Sequence, residues 1–107
     1  MSQITTHVLD AALGGPARGM GVVLARADGD EMASGVTGDD GRIADLGPAR
    51  LVAGTYRLTF ATGDYFAATG RATFYPVVSI DFAVADAEHY HVPLLLSPFS
   101  YSTYRGN

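Results

Sequence analysis

The chain has 107 residues, of which 48% are hydrophobic and 17% are charged, a balance typical of one globular domain rather than of a disordered segment. It contains no cysteine, which excludes disulfides, thiolate catalysis and zinc sites that need sulfur ligands. All seven basic residues are arginines, so no lysine can act as a Schiff base, and with a net charge of -4 and no basic stripe we expect no binding to nucleic acid.

The two ends of the sequence carry no targeting signal that we recognise. The N-terminal MSQITTHVLDAAL has neither a basic region nor a long apolar run, and the C-terminal YRGN is no common anchor or address. No stretch approaches the ~18 consecutive apolar residues of a membrane span. We therefore expect a cytoplasmic protein with no membrane association, forming a single domain over residues 1–107.

Most of the chain has the period-2 alternation and the residue types of β-strands. In the central strands, apolar side chains fall on one face, as Tyr56, Leu58 and Phe60 do. An Asp-Gly pair at Asp40-Gly41 predicts a turn after Val36–Asp40. The predicted strands are Ile4–Leu9, Met20–Ala27, Thr55–Ala61, Pro76–Val84, His89–Leu96 and Phe99–Tyr104.

One segment departs from the strand pattern. The stretch Asp64–Thr69 lies between two glycines and contains a capping aspartate and two alanines, which predicts a helix of one to two turns. Pro93 falls inside a predicted strand, where it cannot donate a ladder hydrogen bond, so we expect that strand to be bulged or unpaired there. The pattern as a whole predicts an all-β fold, an antiparallel two-sheet sandwich of seven to eight strands with one short helix.

Long motifs along the whole chain resemble those of the transthyretin-like family, which includes the 5-hydroxyisourate hydrolases and the carrier transthyretin. The opening THVLDAALGGPARGMGV and the closing HVPLLLSPFSYSTYRG are similar to the terminal signatures of that family. The segments GDDGRI, GTYRLTF, DYFAATG and FYPVVSIDF follow in family order. The resemblance implies a transthyretin-like sandwich that assembles as a homotetramer, a dimer of dimers with active sites at the dimer–dimer interface.

A few polar positions make the chain resemble the enzyme branch rather than the carrier. The hydrolases have a histidine in the first strand, an arginine after a turn glycine, a histidine in the penultimate strand and a Tyr-Arg-Gly-Ser ending. These positions match His7, Arg42, His91 and the run from Tyr104 to Gly106, whereas Asn107 stands where the family has Ser or Thr. Transthyretin lacks these histidines and this ending.

The resemblance implies hydrolysis of 5-hydroxyisourate to 2-oxo-4-hydroxy-4-carboxy-5-ureidoimidazoline in urate catabolism, a purine pathway, with no cofactor and no metal. The implied catalytic residues are His7, Arg42 and His91, with the acid and base roles of the two histidines left open. The implied substrate-binding residues are His7, Arg42, Tyr104 and Asn107. The implied supporting residues are Pro93, Ser102, Arg105 and Gly106.

From the residues alone, each candidate also has a plainer interpretation. His7 can be an exposed or capping histidine, and Arg42 a surface arginine paired with Asp39 or Asp40. His89 and His91, two residues apart on one strand face, form a weak metal motif, although we expect His89 to be a solvated neighbour without a role. Chain ends such as the tail after Tyr104 are often frayed.

Two other functions remain open at this stage. The chain can be a transthyretin-like carrier that holds small aromatic ligands between subunits, or a degenerate sandwich that serves only in protein contacts. Asn107 is the residue that keeps the second alternative open, because a terminal substitution is one way in which a family member loses its activity.

Overall fold

The computed structural model describes residues 2–107, which form two packed β-sheets and one helix. Seven strands in this range have four or more residues and two have only two. The elements in chain order are β1 (Ile4–Asp10), β2 (Gly15–Pro16), β3 (Gly21–Arg26), β4 (Glu31–Val36), β5 (Arg42–Ile43), β6 (Gly54–Phe60), α1 (Thr62–Ala68), β7 (Val78–Val84), β8 (Tyr90–Ser97) and β9 (Ser100–Thr103).

The first sheet has the strand order β2-β1-β8-β9, with β5 also paired to β1, and the second has the order β4-β3-β6-β7. The predicted two-sheet sandwich with one short helix is therefore confirmed. One pair departs from the antiparallel expectation, because β1 and β8 run parallel in a continuous register from Ile4↔Tyr90 to Asp10↔Leu96. Their sequence separation leaves room for the long crossover that a parallel pair requires.

The core lies between the sheets and is built by alternation. Along β1, the even-numbered residues from Ile4 to Asp10 are buried, whereas Thr5, His7 and Leu9 are partly exposed. The same rule holds in β6, where Leu58 and Phe60 are fully buried. Because side chains on a strand point alternately to opposite faces, burying one set of β1 side chains turns the other set outward.

The short helix begins earlier than predicted, and the predicted cap is wrong. Helix α1 starts at Thr62 rather than at Asp64, and Ala61 at its N-cap offers no side-chain hydrogen bond. Tertiary contacts replace the missing cap, since the Gly63 amide donates to the Pro76 carbonyl over 2.8 Å. Asp64 lies in the first turn, where its negative charge is favourable beside the positive end of the helix dipole.

Strand β4 and the two-residue strands β2 and β5 were not predicted, because Ser34 and Gly35 interrupt the apolar alternation in β4 and the other two are too short to show any.

The predicted irregularity at Pro93 occurs on only one of the two edges of β8. Pairing of β8 with the tail stops at Leu94↔Thr103 and resumes at His91↔Gly106, while pairing with β1 is unbroken.

A buried ion pair joins the end of β1 to the helix region. The Asp10 side chain is fully buried and accepts hydrogen bonds from Arg71 at 2.6 Å and from the Tyr65 hydroxyl at 2.7 Å. Burial by itself raises the pKa of Asp10, but the hydrogen bonds from Arg71, Tyr65 and the Leu13 amide outweigh it and hold that pKa below its usual value. Asp10 also fixes the turn that follows β1, because its carboxylate accepts a hydrogen bond from the Leu13 amide over 3.0 Å.

Candidate functional site

The candidate catalytic side chains lie on the outer face of the sheet that contains β1 and β8. Thr5 is directly opposite His91 in the parallel ladder, and His7 is opposite Pro93, two residues further along both strands. Since Thr5 and His7 belong to the outward-facing set of β1, His7 and His91 project from the same face as diagonal neighbours. The strand register thus brings together histidines from the two ends of the chain.

Arg42 reaches the same face because a glycine precedes it. Gly41 is buried and has a φ of 78°, and a Cβ at this position would collide with the carbonyl oxygen of Val8. Without a side chain there, β5 can approach β1 closely enough for Arg42 to stand directly opposite His7. The Arg42 amide also donates to the Asp40 carboxylate over 3.0 Å, which tightens the turn.

The Arg42 guanidinium forms no ion pair within residues 2–107. Asp39, one of the two carboxylates expected as its partner, lies 3.8 Å from Arg18 instead, and Asp40 accepts from the Arg42 backbone. The plainer interpretation of Arg42 as a paired surface arginine therefore does not describe this structure. Its charge is available to a bound molecule.

A cavity of about 240 Å³ opens beside these residues. It contains one cationic group, two imidazoles and the C-terminal residue, which suits a small polar ligand. Its lining residues are Thr5, Thr6, Arg42, Ile43, Ala44, His89, His91 and Asn107.

The ring of His7 has a defined hydrogen position. Its Nε2 lies 2.9 Å from the backbone carbonyl oxygen of Asp40, and a carbonyl can only accept a hydrogen bond. Nε2 therefore carries the hydrogen, and in the neutral ring Nδ1 is left with a free lone pair. His7 can act as a base through Nδ1.

His91 is kept neutral by its surroundings. Burial lowers the pKa of His91, and the positive charges of Arg42, His7 and His89 lower it further, against a smaller opposing effect from a hydrogen bond with the backbone of Thr5. A neutral imidazole at physiological pH can accept a proton or donate one in a reaction.

The C-terminal tail is packed across β8 beside His91. The Gly106 amide donates to the His91 carbonyl over 2.8 Å, and a Cβ on Gly106 would lie only 2.6 Å from Cδ2 of that ring. The guanidinium carbon of Arg105 lies 4.2 Å from the ring centroid of Tyr90, a cation–π contact on the side away from the cavity. These contacts bring Asn107 into the lining of the cavity.

Two of the residues implied by the resemblance, Tyr104 and Ser102, lie away from the cavity beside Arg42. Tyr104 is 59% exposed and lines a separate cavity of about 400 Å³ between β7 and the end of β9. Ser102 is exposed on β9 opposite Leu95. Pro93 is buried, and its carbonyl accepts a hydrogen bond from the Thr103 hydroxyl at 2.7 Å. The single chain therefore does not bring Tyr104 or Ser102 to Arg42 and His91.

Sequence reasoning overlooked Thr5 and gave His89 no role. The Thr5 hydroxyl oxygen lies 2.7 Å from Nδ1 of His91 and 2.8 Å from Nε2 of His89, so it connects the two imidazoles. Thr5 precedes His7 by two residues and shares its strand face, which was the available signal, but threonine is too common on strands for that spacing to single it out.

The described residues hold no cluster typical of a metal centre. Across positions 2–107, no group of three or more His, Asp or Glu side chains is arranged to hold a metal ion. No helix in the same range is long and apolar enough to cross a membrane.

Comparisons with known proteins place residues 4–106 within the model of the "HIUase/Transthyretin family". The chain is 49% identical to the 5-hydroxyisourate hydrolase of Caulobacter vibrioides, with both chains covered in full. Its structure matches that of Klebsiella pneumoniae 5-hydroxyisourate hydrolase with a TM-score of 0.91 and 44% identity, covering 97% of this chain and 98% of the other. It also matches sea bream transthyretin in complex with thyroxine with a TM-score of 0.90 and 34% identity, covering 97% and 94%.

Proposed function

The chain belongs to the HIUase/Transthyretin family, and from this premise we propose that it is an enzyme that hydrolyses 5-hydroxyisourate in urate catabolism. The observation that carries the proposal is the meeting of His7, Arg42 and His91 on one sheet face, where Arg42 and His91 line a small cavity. The relatives named 5-hydroxyisourate hydrolase support it, because the similarity extends over the whole of both chains.

Opening a ring amide with water requires a base, a group that stabilises the developing oxyanion, and a proton for the leaving nitrogen. Arg42 has an unpaired guanidinium with several donors in a planar fork, which suits the carbonyl oxygens of a flat heterocycle. We assign it to substrate orientation and oxyanion stabilisation, an effect typically worth about 10²–10³ in rate.

The two histidines are assigned to proton transfer. The free Nδ1 lone pair of His7 can accept a proton, and the neutral ring of His91 can accept or donate one. Asn107 offers an amide to the substrate within the same cavity, in the position where the family has a hydroxyl. The substrate-binding role of Tyr104 and the supporting role of Ser102 stay predictions, and within the single chain neither residue lies beside Arg42 and His91.

A carrier of small aromatic molecules is the second candidate, favoured by the similarity to a transthyretin solved with thyroxine. The composition of the cavity argues against it here. An arginine and two imidazoles in about 240 Å³ suit a small polar heterocycle better than a large apolar ligand.

We further propose that the working form is a homotetramer, a dimer of dimers with each site at the dimer–dimer interface. In the single chain the cavity lies open on the outer face of a sheet. Large apolar side chains are also exposed, including Leu13 at 67% and Phe99 at 68%, as expected of surfaces that a partner covers. Enclosure by a neighbouring subunit strengthens the electrostatic interactions of Arg42 by excluding water. A cytoplasmic location stays a prediction.

The test is to mix the purified protein with urate and urate oxidase and follow the transient absorbance of 5-hydroxyisourate. Decay faster than in the blank is expected of the hydrolase. Unchanged decay together with tight binding of an aromatic ligand would refute hydrolysis and support the carrier. Light scattering on the same sample measures the assembly state, and a fully active monomer would refute the interfacial site.

A further inference from the structure

The Thr5 hydroxyl lies between two imidazole rings and has one hydrogen for both. Its oxygen is 2.8 Å from Nε2 of His89 and 2.7 Å from Nδ1 of His91. A hydroxyl donates one hydrogen bond and accepts others, so it can donate to only one of these nitrogens at a time. If both contacts are hydrogen bonds, the other nitrogen must carry a hydrogen and donate to Thr5. The tautomers of His89 and His91 are therefore linked.

The surroundings of His91 favour one of the two arrangements. Its other nitrogen, Nε2, has no hydrogen-bond partner within residues 2–107, and its ring shares the cavity with the Arg42 guanidinium. A nearby positive charge stabilises a nitrogen lone pair relative to an N–H group, so an unprotonated Nε2 on His91 is favoured in the cavity. The hydrogen of neutral His91 is then on Nδ1, which donates to Thr5, and Thr5 donates to Nε2 of His89.

We propose that Thr5 and His89 are positioning residues that select the tautomer of His91 and thereby make its basicity depend on the protonation of His89. While His89 is neutral, it accepts from Thr5, and Nε2 of His91 is a free base in the cavity. This inference rests on the proposed function in one respect only, namely that hydrolysis uses Nε2 of His91 as a base.

Protonation of His89 reverses the chain of hydrogen bonds. Its Nε2 then carries a hydrogen and donates to Thr5. The hydroxyl can accept from both rings, but its own hydrogen then has no acceptor in the pair, and turning it toward Nδ1 of His91 recovers one hydrogen bond. The His91 ring releases its Nδ1 hydrogen to solvent and takes one up on Nε2, so its charge is unchanged but the free base is lost. The two arrangements differ by about one hydrogen bond, so we expect the population of the base tautomer of His91 to fall about two- to tenfold.

The surroundings of the two rings differ. Arg42 on β5 and His7 on β1 both act on His91, and each opposes a positive charge there, as does burial. His89 is exposed, between Glu88 and the start of β8, and its carbonyl accepts from Arg105 at 3.4 Å. A positive charge on His91 is therefore disfavoured, whereas the ring of His89 is open to solvent.

The direct test is ¹⁵N NMR of the imidazole nitrogens, because their chemical shifts distinguish protonated from unprotonated nitrogen. In the wild-type protein we expect an unprotonated Nε2 on His91 at high pH, which gains hydrogen as His89 titrates. Thr5→Val removes the hydroxyl at nearly constant shape, and His91 should then stop following His89. Thr5→Ser should restore the link. Thr59→Val makes the same exchange on the other sheet and serves as the control.

The pH profile of kcat/KM gives a second measurement. In the wild-type protein the acid side should include the titration of His89, and this contribution should disappear in Thr5→Val. His89→Ala should remove it as well, and because His89 is exposed, that variant keeps the test open if Thr5→Val does not fold.

A His91 ring with hydrogen on Nε2 at every pH, or a tautomer that still follows His89 in Thr5→Val, would overturn the inference. The NMR readout needs no substrate, so it separates this inference from the proposed function. If the protein hydrolyses 5-hydroxyisourate but the tautomer of His91 does not follow His89, only this inference is overturned. Linked tautomers in a protein that does not hydrolyse 5-hydroxyisourate would support the link and refute the proposed function.

Discussion

Replacing Gly106 with alanine adds a methyl group against the ring of His91. On the present backbone the new Cβ would lie 2.6 Å from Cδ2 of His91 and 3.2 Å from Cγ of Pro93. The first distance is 0.8 Å shorter than the 3.4 Å at which ordinary contact begins, so the ring or the tail must move by nearly that amount. Pro93 is buried and cannot give way, and Thr5 holds the far side of the His91 ring.

A displacement of this size is large for a catalytic group. A misplacement of about 1 Å can cost on the order of 10²-fold in rate, so we expect kcat/KM for Gly106→Ala to fall about ten- to hundredfold. The free energy of unfolding should change by less than about 0.5 kcal/mol, because Gly106 lies in the tail and outside the core. The urate oxidase assay measures the first quantity, and denaturant unfolding the second.

Gly15→Ala is the matched control. A Cβ at Gly15 would meet no atom within 4 Å, and its φ lies outside the left-handed region, so activity should be unchanged. Wild-type activity in Gly106→Ala would refute the claim that the tail fixes the position of His91. Equal losses in both variants would show that the effect is not specific to the tail.

Further predictions concern the site and the buried ion pair. In the urate oxidase assay, His7→Ala should lower kcat by about 10²–10⁴ and Arg42→Ala by about 10²–10³, and a wild-type rate in either would remove that residue from the mechanism. Arg42→Ala should also raise the pKa of His91, since it removes a positive charge, and an NMR titration that shows no rise would contradict this electrostatic account. Asp10→Ala leaves the partly buried Arg71 unpaired and should destabilise the fold by about 3–5 kcal/mol in denaturant unfolding. The pKa of Asp10 is lower in the folded state than in the unfolded state. The contribution of Asp10 to the free energy of unfolding is therefore complete above pH ~4 and is lost as the pH falls through the lowered value. Arg71→Met should weaken this pH dependence of stability, which unfolding measured against pH would show.

The strands with clean alternation could be predicted from the sequence, and those that depend on a partner could not. Tyr56, Leu58 and Phe60 on β6 are buried on the one face predicted for them, because alternation alone decides the direction of a side chain on a strand. Strand β4, with Ser34 and Gly35 in its middle, is held mainly by its pairing to β3. The start of α1 was missed for the same reason, since a distant carbonyl at Pro76 takes the place of a local cap.

The candidate site likewise contains residues that could be predicted from the sequence and residues that could not. The resemblance pointed to His7, Arg42 and His91, and Gly41 explains how the arginine reaches the first strand. The bridging position of Thr5 follows from the parallel register of β1 and β8, which no local pattern specifies. Tyr104 is exposed because the C-terminal segment separates from β8 alongside Pro93. This separation depends on tertiary packing and not on a local sequence pattern.

The parallel pairing of β1 with β8 also sets the moment at which the protein first acquires its site. Thr5 and His91 are separated by 86 positions, so the opening strand leaves the ribosome long before the strand that will flank it. Contacts this distant in sequence form late, because the intervening chain must lose its freedom first. A nascent or prematurely terminated polypeptide lacking β8 therefore has Arg42 and His7 but neither His91 nor the tail, and the cell obtains all of these groups together only after β8 and the tail have been synthesised.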